Sequence, residues 1–273
     1  MNKILHGLNK EQAEAVQLTE GPMLIMAGAG SGKTKTLTCR IAWLLEQGVP
    51  PYKILAITFT NKAAEEMRKR VDRMVGPAAK NVWLFTFHAF CARFLRMEIE
   101  KLGGYASNFV IYDNADSKNL LKEVLKELNL DEKNYPLASL LSTISNAKNV
   151  MLDARAFASQ AADFHARKVA EIYSVYEKKL LLNNALDFDD LLLLTIRLLT
   201  KDEEVRRRYQ EKFSHVLVDE YQDTNHVQYL LTKLLAEKHH NLCVVGDIDQ
   251  SIYGWRGADI QNILDFGRDY PEA

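Results

Sequence analysis

The spacing of hydrophobic and polar positions changes along this chain. In the first hundred residues short apolar runs, Met23–Met26, Ile54–Thr58 and Val82–Thr86, are each followed by a stretch with apolar residues at helical spacing. Runs of this length bounded by turn residues read as buried strands, and their alternation with helices predicts a parallel α/β sheet. From about Tyr112 to Asn184 the strand-like runs vanish. Apolar residues there recur at helical spacing in Leu120–Leu128, Leu137–Ile144 and Val169–Leu182, which predicts a helical insert. Strand-like runs return at His215–Val218 and Leu242–Val245, so the sheet domain resumes after the insert. The expected organisation is an α/β domain made of residues 1–111 and 185–273, interrupted by an all-helical subdomain at 112–184. There is no low-complexity segment and no internal repeat.

The first of these junctions carries chemistry. Ala27-Gly28-Ala29-Gly30-Ser31-Gly32-Lys33-Thr34 lies between the run Met23–Met26 and the helical stretch Leu37–Leu45. A strand, a glycine-rich turn and a helix in that order form a phosphate cradle, with backbone N–H groups and the positive end of the helix aimed at phosphate oxygens. Lys33 is expected to reach the β- and γ-phosphates and Thr34 to ligate Mg²⁺, which makes the chain a binder of nucleoside triphosphate. Ala27 replaces the first glycine of the usual pattern without removing Lys33, Thr34 or the later glycines. A flexible glycine turn before an ordinary helix is the plainer alternative.

A second junction complements the first. Val216-Leu217-Val218-Asp219-Glu220 is an apolar run ending in two carboxylates, where Asp219 would hold Mg²⁺ and Glu220 would orient or deprotonate a water facing the γ-phosphate. At the last strand, Val244–Gln250 places polar side chains at another tip, with Gln250 suited to report the γ-phosphate. Tyr253, Trp255 and Arg256 follow on a glycine-flanked loop, a composition on which bases of single-stranded nucleic acid stack.

Composition narrows the remaining classes. The 273 residues are 47% hydrophobic and 26% charged, with a net charge of −1, which describes an ordinary globular protein without a general coat of positive charge. That balance does not exclude a local basic groove, since Lys62, Arg68, Lys69, Arg70 and Arg73 cluster in one segment. No apolar stretch approaches the length of a membrane span and the start lacks the apolar core of a signal peptide, so a cytoplasmic protein with no membrane partner is expected. Cys39, Cys91 and Cys243 are scattered among apolar neighbours and read as buried free thiols.

Taken together, Gly28–Thr34, Thr58–Ala64, Thr86–Phe90, Asp219–Asn225 and Gln250–Ala258 resemble the motifs of the superfamily 1 DNA helicases of the UvrD/PcrA/Rep type, over essentially the whole chain. The run Gly257–Leu264 is most similar to the PcrA branch. The resemblance implies a RecA-like P-loop domain, with Ala27–Thr34, Lys35, Gln12 and Arg40 near ATP and with Lys33, Glu220 and Gln250 acting in hydrolysis. It implies that Gln12 reads adenine, although Asn9 and Gln12 also fit a helix-capping box. Phe59, Thr60, Asn61, His88, Phe188, Tyr253, Trp255 and Arg256 would touch single-stranded DNA. A core histidine remains open for His88, and an acidic helix start for Asp187-Phe188-Asp189-Asp190.

The family implies ATP-driven 3′→5′ travel on single strands, unwinding at duplex junctions, and partners in DNA repair or replication. It also implies a second RecA-like domain with an arginine finger. The sequence stops at Pro271-Glu272-Ala273 before such residues and is expected to be the N-terminal half of a helicase. The alternatives are the motor half of a RecB/AddA-like helicase–nuclease and a non-catalytic nucleotide- or DNA-binding module.

Overall fold

Five apolar runs lie side by side in one parallel sheet of order β1-β7-β6-β2-β3: β1 Met23–Met26, β2 Ile54–Thr58, β3 Trp83–Thr86, β6 His215–Val218 and β7 Leu242–Gly246. The computed structural model describes residues 3–250 and 261–273. The expected contacts of Tyr253, Trp255 and Arg256 lie outside them. β2, β6 and β7 are buried along their whole length, which is why they read as uninterrupted apolar runs rather than alternating ones.

The helices of this part of the chain are α1 (Lys10–Gln17), α2 (Lys33–Glu46), α3 (Asn61–Val75) and α4 (Phe87–Glu98), followed after the insert by α10 (Glu203–Lys212), α11 (His226–Ala236) and the single turns α12 (Gln261–Leu264) and α13 (Phe266–Asp269). Leu37, Ile41 and Leu44 of α2 and Met67 and Val71 of α3 pack on Ile54, Ala56, Leu84, Leu217, Cys243 and Val245 of the sheet. Burying one such side chain is worth about 1.5–3 kcal/mol. Helix starts are set by capping: Asn9 and Gln12 form a reciprocal box on α1, Thr60 caps α3, and Asn225 and Gln228 form a box on α11.

The chain divides into two compact units, residues 1–90 with 202–273, and residues 91–201. The second extends beyond the expected 112–184 at both ends. One boundary falls inside the continuous helix α4, which periodicity cannot reveal. At the other end α9 (Phe188–Lys201) packs on α6 (Leu137–Asn149) and on the 3₁₀ turn Ile99–Leu102, within the helical unit. The remaining helices are α5 (Asn114–Glu127), α7 (Ala154–Gln160) and α8 (Phe164–Leu182). Leu121, Val124, Leu140, Ile144, Ile172, Tyr173, Tyr176 and Leu180 form their common core.

Two short strands flank the expected helical stretch 112–184. Val110–Ile111 (β4) and Ala185–Leu186 (β5) pair in parallel, and two-residue strands are too short to leave a periodic signal. All three cysteines are buried and free, and burial pushes the Cys91 thiol up to about 12. Among the described residues no helix is long and apolar enough to cross a membrane.

Candidate functional site

Residues 27–32 bridge the end of β1 and the start of α2. The turn is anchored by the Ala27 N–H to the Gly246 carbonyl of β7 at 3.1 Å and closed by the Ser31 N–H to the Gly28 carbonyl at 3.2 Å. Gly32 sits at φ +87° as the N-cap of α2, and no side chain caps that helix. The left-handed backbone favours glycine here, and a Cβ would also lie 3.2 Å from Gln12 Nε2. The uncapped start of a 14-residue helix, with Lys33 as its first residue, presents N–H groups and the positive helix end to the cradle.

Three strand ends converge there. Thr34 Oγ1 donates to Asp219 Oδ2 at 3.0 Å, and Lys33 Nζ donates to Asp247 Oδ2 at 3.0 Å. Asp219 follows β6 and its N–H donates to the Ile57 carbonyl of β2 at 2.9 Å. Burial first, and then the charge of Glu220, push its carboxyl up to about 6. Glu220 adopts a left-handed backbone, φ +51° and ψ +45°, strained for a residue with a side chain. Its Oε2 accepts from Gln222 Nε2 at 2.8 Å, and Gln222 Oε1 accepts the Asp247 N–H at 3.0 Å. The hydrogen bond from Lys33 holds the Asp247 carboxyl below its usual range. Gln250 Nε2 donates to the same Asp247 oxygen.

Residues 8–271 match the family profile of the UvrD/REP helicase N-terminal domain. The chain belongs to that family. Across its whole length it is 55% identical to the ATP-dependent DNA helicase PcrA of Staphylococcus aureus, and 54% identical to those of Bacillus subtilis and Staphylococcus epidermidis. It spans 37% of the length of these relatives.

Gln12 donates from Nε2 to the Ser31 carbonyl at 2.6 Å while its Oε1 accepts the Asn9 N–H at 3.0 Å, so the capping box and an attachment to the cradle coexist. Lys35 Nζ donates to the Gly7 carbonyl at 2.6 Å. Arg40 is the remaining residue expected near the nucleotide. Its side chain is buried and donates to the carbonyls of Ala15 and Leu18, which locks the end of α1 to α2 two turns below the cradle.

Phe59 meets Phe87 edge-on at 5.5 Å. Thr60 Oγ1 accepts the Ala63 N–H at 3.1 Å as the cap of α3, and Asn61 is the exposed first residue of that helix. His88 is half-buried, and burial pulls its imidazole pKa down. In the helical unit Phe188 opens α9 as an exposed residue.

Sequence reasoning named neither Asp247 nor Gln222 as a site residue, and it missed Lys148. The Lys148 ammonium has no exposed surface and donates to Asp187 Oδ2 at 2.7 Å and to Asp190 Oδ1 at 2.6 Å. Tyr176 donates its hydroxyl to Asp187 Oδ2 at 3.1 Å. The two aspartates cap each other's backbone, Asp190 N–H to Asp187 Oδ1 at 2.9 Å and Asp187 N–H to Asp190 Oδ2 at 3.2 Å. This network fixes the turn that carries Phe188. A signal was available: Lys148 sits four residues after Ile144 and eight after Leu140, on the apolar stripe of its helix, where a lysine needs a buried partner.

Proposed function

We propose that this chain is the nucleotide-binding motor half of an ATP-dependent DNA helicase. The observation that carries the reading is the convergence of Lys33, Thr34, Asp219, Glu220 and Gln250 at adjacent strand ends around an uncapped helix start. In this reading the amides of residues 28–34 and the Lys33 ammonium hold the β- and γ-phosphates. Glu220 orients and deprotonates the attacking water, and Gln250 senses the γ-phosphate. Gln12, already tied to Ser31, keeps a second amide hydrogen for an adenine edge.

Thr34 and Asp219 fit Mg²⁺. They are hard oxygen donors hydrogen-bonded to each other, and Asp219 carries a carboxyl pushed up by burial that a divalent cation would relieve. When bound, Mg²⁺ neutralises charge on the phosphate oxygens.

Phe59, Thr60, Asn61, His88 and Phe188, together with Tyr253, Trp255 and Arg256, are proposed to contact single-stranded DNA through ring faces and polar groups, with little sequence preference. The family reading brings with it 3′→5′ travel, action at duplex junctions, a second RecA-like domain and a cytoplasmic setting in repair or replication. Identity to plain helicases over the whole chain favours that reading over a helicase–nuclease.

Titration of the polypeptide with Mg²⁺·ATP, followed by steady-state turnover with and without single-stranded oligonucleotides, tests it. Saturable binding that requires Lys33 is expected. A chain that binds no triphosphate would overturn the reading.

A further inference from the structure

Lys33 lies at the base of the cradle yet is only 8% exposed. A buried ammonium without a partner is strongly destabilising, so a site free of nucleotide needs an anion beside it. Asp247 is that anion. One carboxylate oxygen takes both Lys33 and Gln250, and the other accepts the Asp249 N–H at 3.1 Å. Its backbone is held as well, because the Asp247 N–H donates to Gln222, whose amide donates in turn to Glu220. Residue 246 is closely approached too: a Cβ there would stand 3.1 Å from Gln222 Oε1 and 2.9 Å from Ile263 Cδ1.

We propose that Asp247 is a positioning residue that holds Lys33 and Gln250 while the site is free of nucleotide and gives up the lysine to the incoming phosphate. The proposal rests on the reading of residues 27–34 as a phosphate cradle. Two anions then compete for one buried cation, so the carboxylate opposes triphosphate binding. Once the lysine leaves, Asp247 becomes a like charge facing the phosphate, and Gln222 transmits its displacement to Glu220. Occupancy of the cradle and orientation of the water-activating carboxylate are thereby coupled through one chain of hydrogen bonds. No proton is transferred and no covalent bond changes in the exchange.

The test is a titration with Mg²⁺·ATPγS of the unmodified chain, Asp247→Asn, Lys33→Met and the double variant, each also followed by thermal melting. Asparagine keeps the shape of the side chain and removes the charge. Asp247→Asn is expected to tighten binding roughly tenfold, the weight of one charge-assisted hydrogen bond. It should also lower the melting temperature without nucleotide and show the larger nucleotide-induced rise. In the Lys33→Met background the same substitution is expected to change the nucleotide-induced rise little, because the cation being contested is gone. Asp247→Ser provides a second neutral variant should asparagine impair folding.

Unchanged or weaker binding by the neutral variants would overturn the proposal, as would an equal gain with and without Lys33. Failure of the unmodified chain to bind ATPγS would instead overturn the cradle reading itself, a result distinct from a parent that binds and a variant that does not improve.

Discussion

Replacing Lys148 with methionine keeps most of the side-chain volume and removes a charge that has no exposed surface. The substitution leaves Asp187 and Asp190 facing each other, each retaining the backbone N–H of the other, and Asp187 also retaining the Tyr176 hydroxyl. Breaking a buried ion pair by removing one partner costs about 3–5 kcal/mol. That is the expected loss at pH 8, measured by urea unfolding followed by far-UV circular dichroism.

The pH dependence distinguishes loss of charge from loss of packing. In the native chain burial, and then the Asp187 charge, push Asp190 up to about 7. Burial alone would raise Asp187 too, but the Lys148 charge and its hydrogen bonds outweigh burial and hold it low. A carboxyl whose folded pKa is raised binds more protons folded than unfolded, so its contribution to stability falls as pH rises from the unfolded value toward about 7 and is constant above. Without Lys148 both carboxyls rise further. The variant should therefore keep losing stability above pH 7, by about 1.4 kcal/mol per pH unit for each proton retained. Its deficit should widen between pH 7 and 9 and narrow toward pH 5. A deficit independent of pH would refute the ion-network argument and leave a packing defect.

In the full-length protein Lys33→Ala should weaken triphosphate binding and hydrolysis together, whereas Glu220→Gln should largely spare binding and remove turnover. Equilibrium titration beside single-turnover hydrolysis separates the two, and equal loss of binding in both would contradict the division of roles. Arg40→Met should lower stability by about 2–4 kcal/mol, since it removes charge-assisted bonds to two carbonyls. It should leave nucleotide affinity unchanged, and a loss of affinity at unchanged melting temperature would return Arg40 to the nucleotide site. Phe188→Ala and Trp255→Ala should each weaken single-strand binding by about 1–3 kcal/mol with no preference among bases. Fluorescence titrations with oligonucleotides of several sequences would expose a base preference if the contacts were specific.

What was legible in the sequence follows the range over which each interaction acts. The buried strands β2, β6 and β7 announced themselves as apolar runs because both of their faces are covered. The turn between β1 and α2 was legible because its glycines, Lys33 and Thr34 lie within eight residues. Capping at Asn9, where donor and acceptor lie three residues apart, was visible for the same reason. The contacts of Arg40 were not legible, because its expected place near ATP came from the family resemblance and its carbonyl partners lie 25 and 22 residues away. Seven residues along α2 it faces the end of α1, and its guanidinium is spent on carbonyls there.

The partners that were missed are remote in sequence. Lys33 meets Asp247 across 214 positions, and the pairing exists only because the sheet order sets β7 between β1 and β6. No local pattern encodes that order. Local rules read Asp247 as one acid in a polar strand tip, and only the fold turns it into the partner of Lys33. The same holds for Lys148, whose partners lie 39 and 42 residues away. In both cases, however, the need for a partner was present in the sequence even though its identity was not. A lysine on an apolar stripe, or at the base of a cradle closed by buried strands, must find an anion.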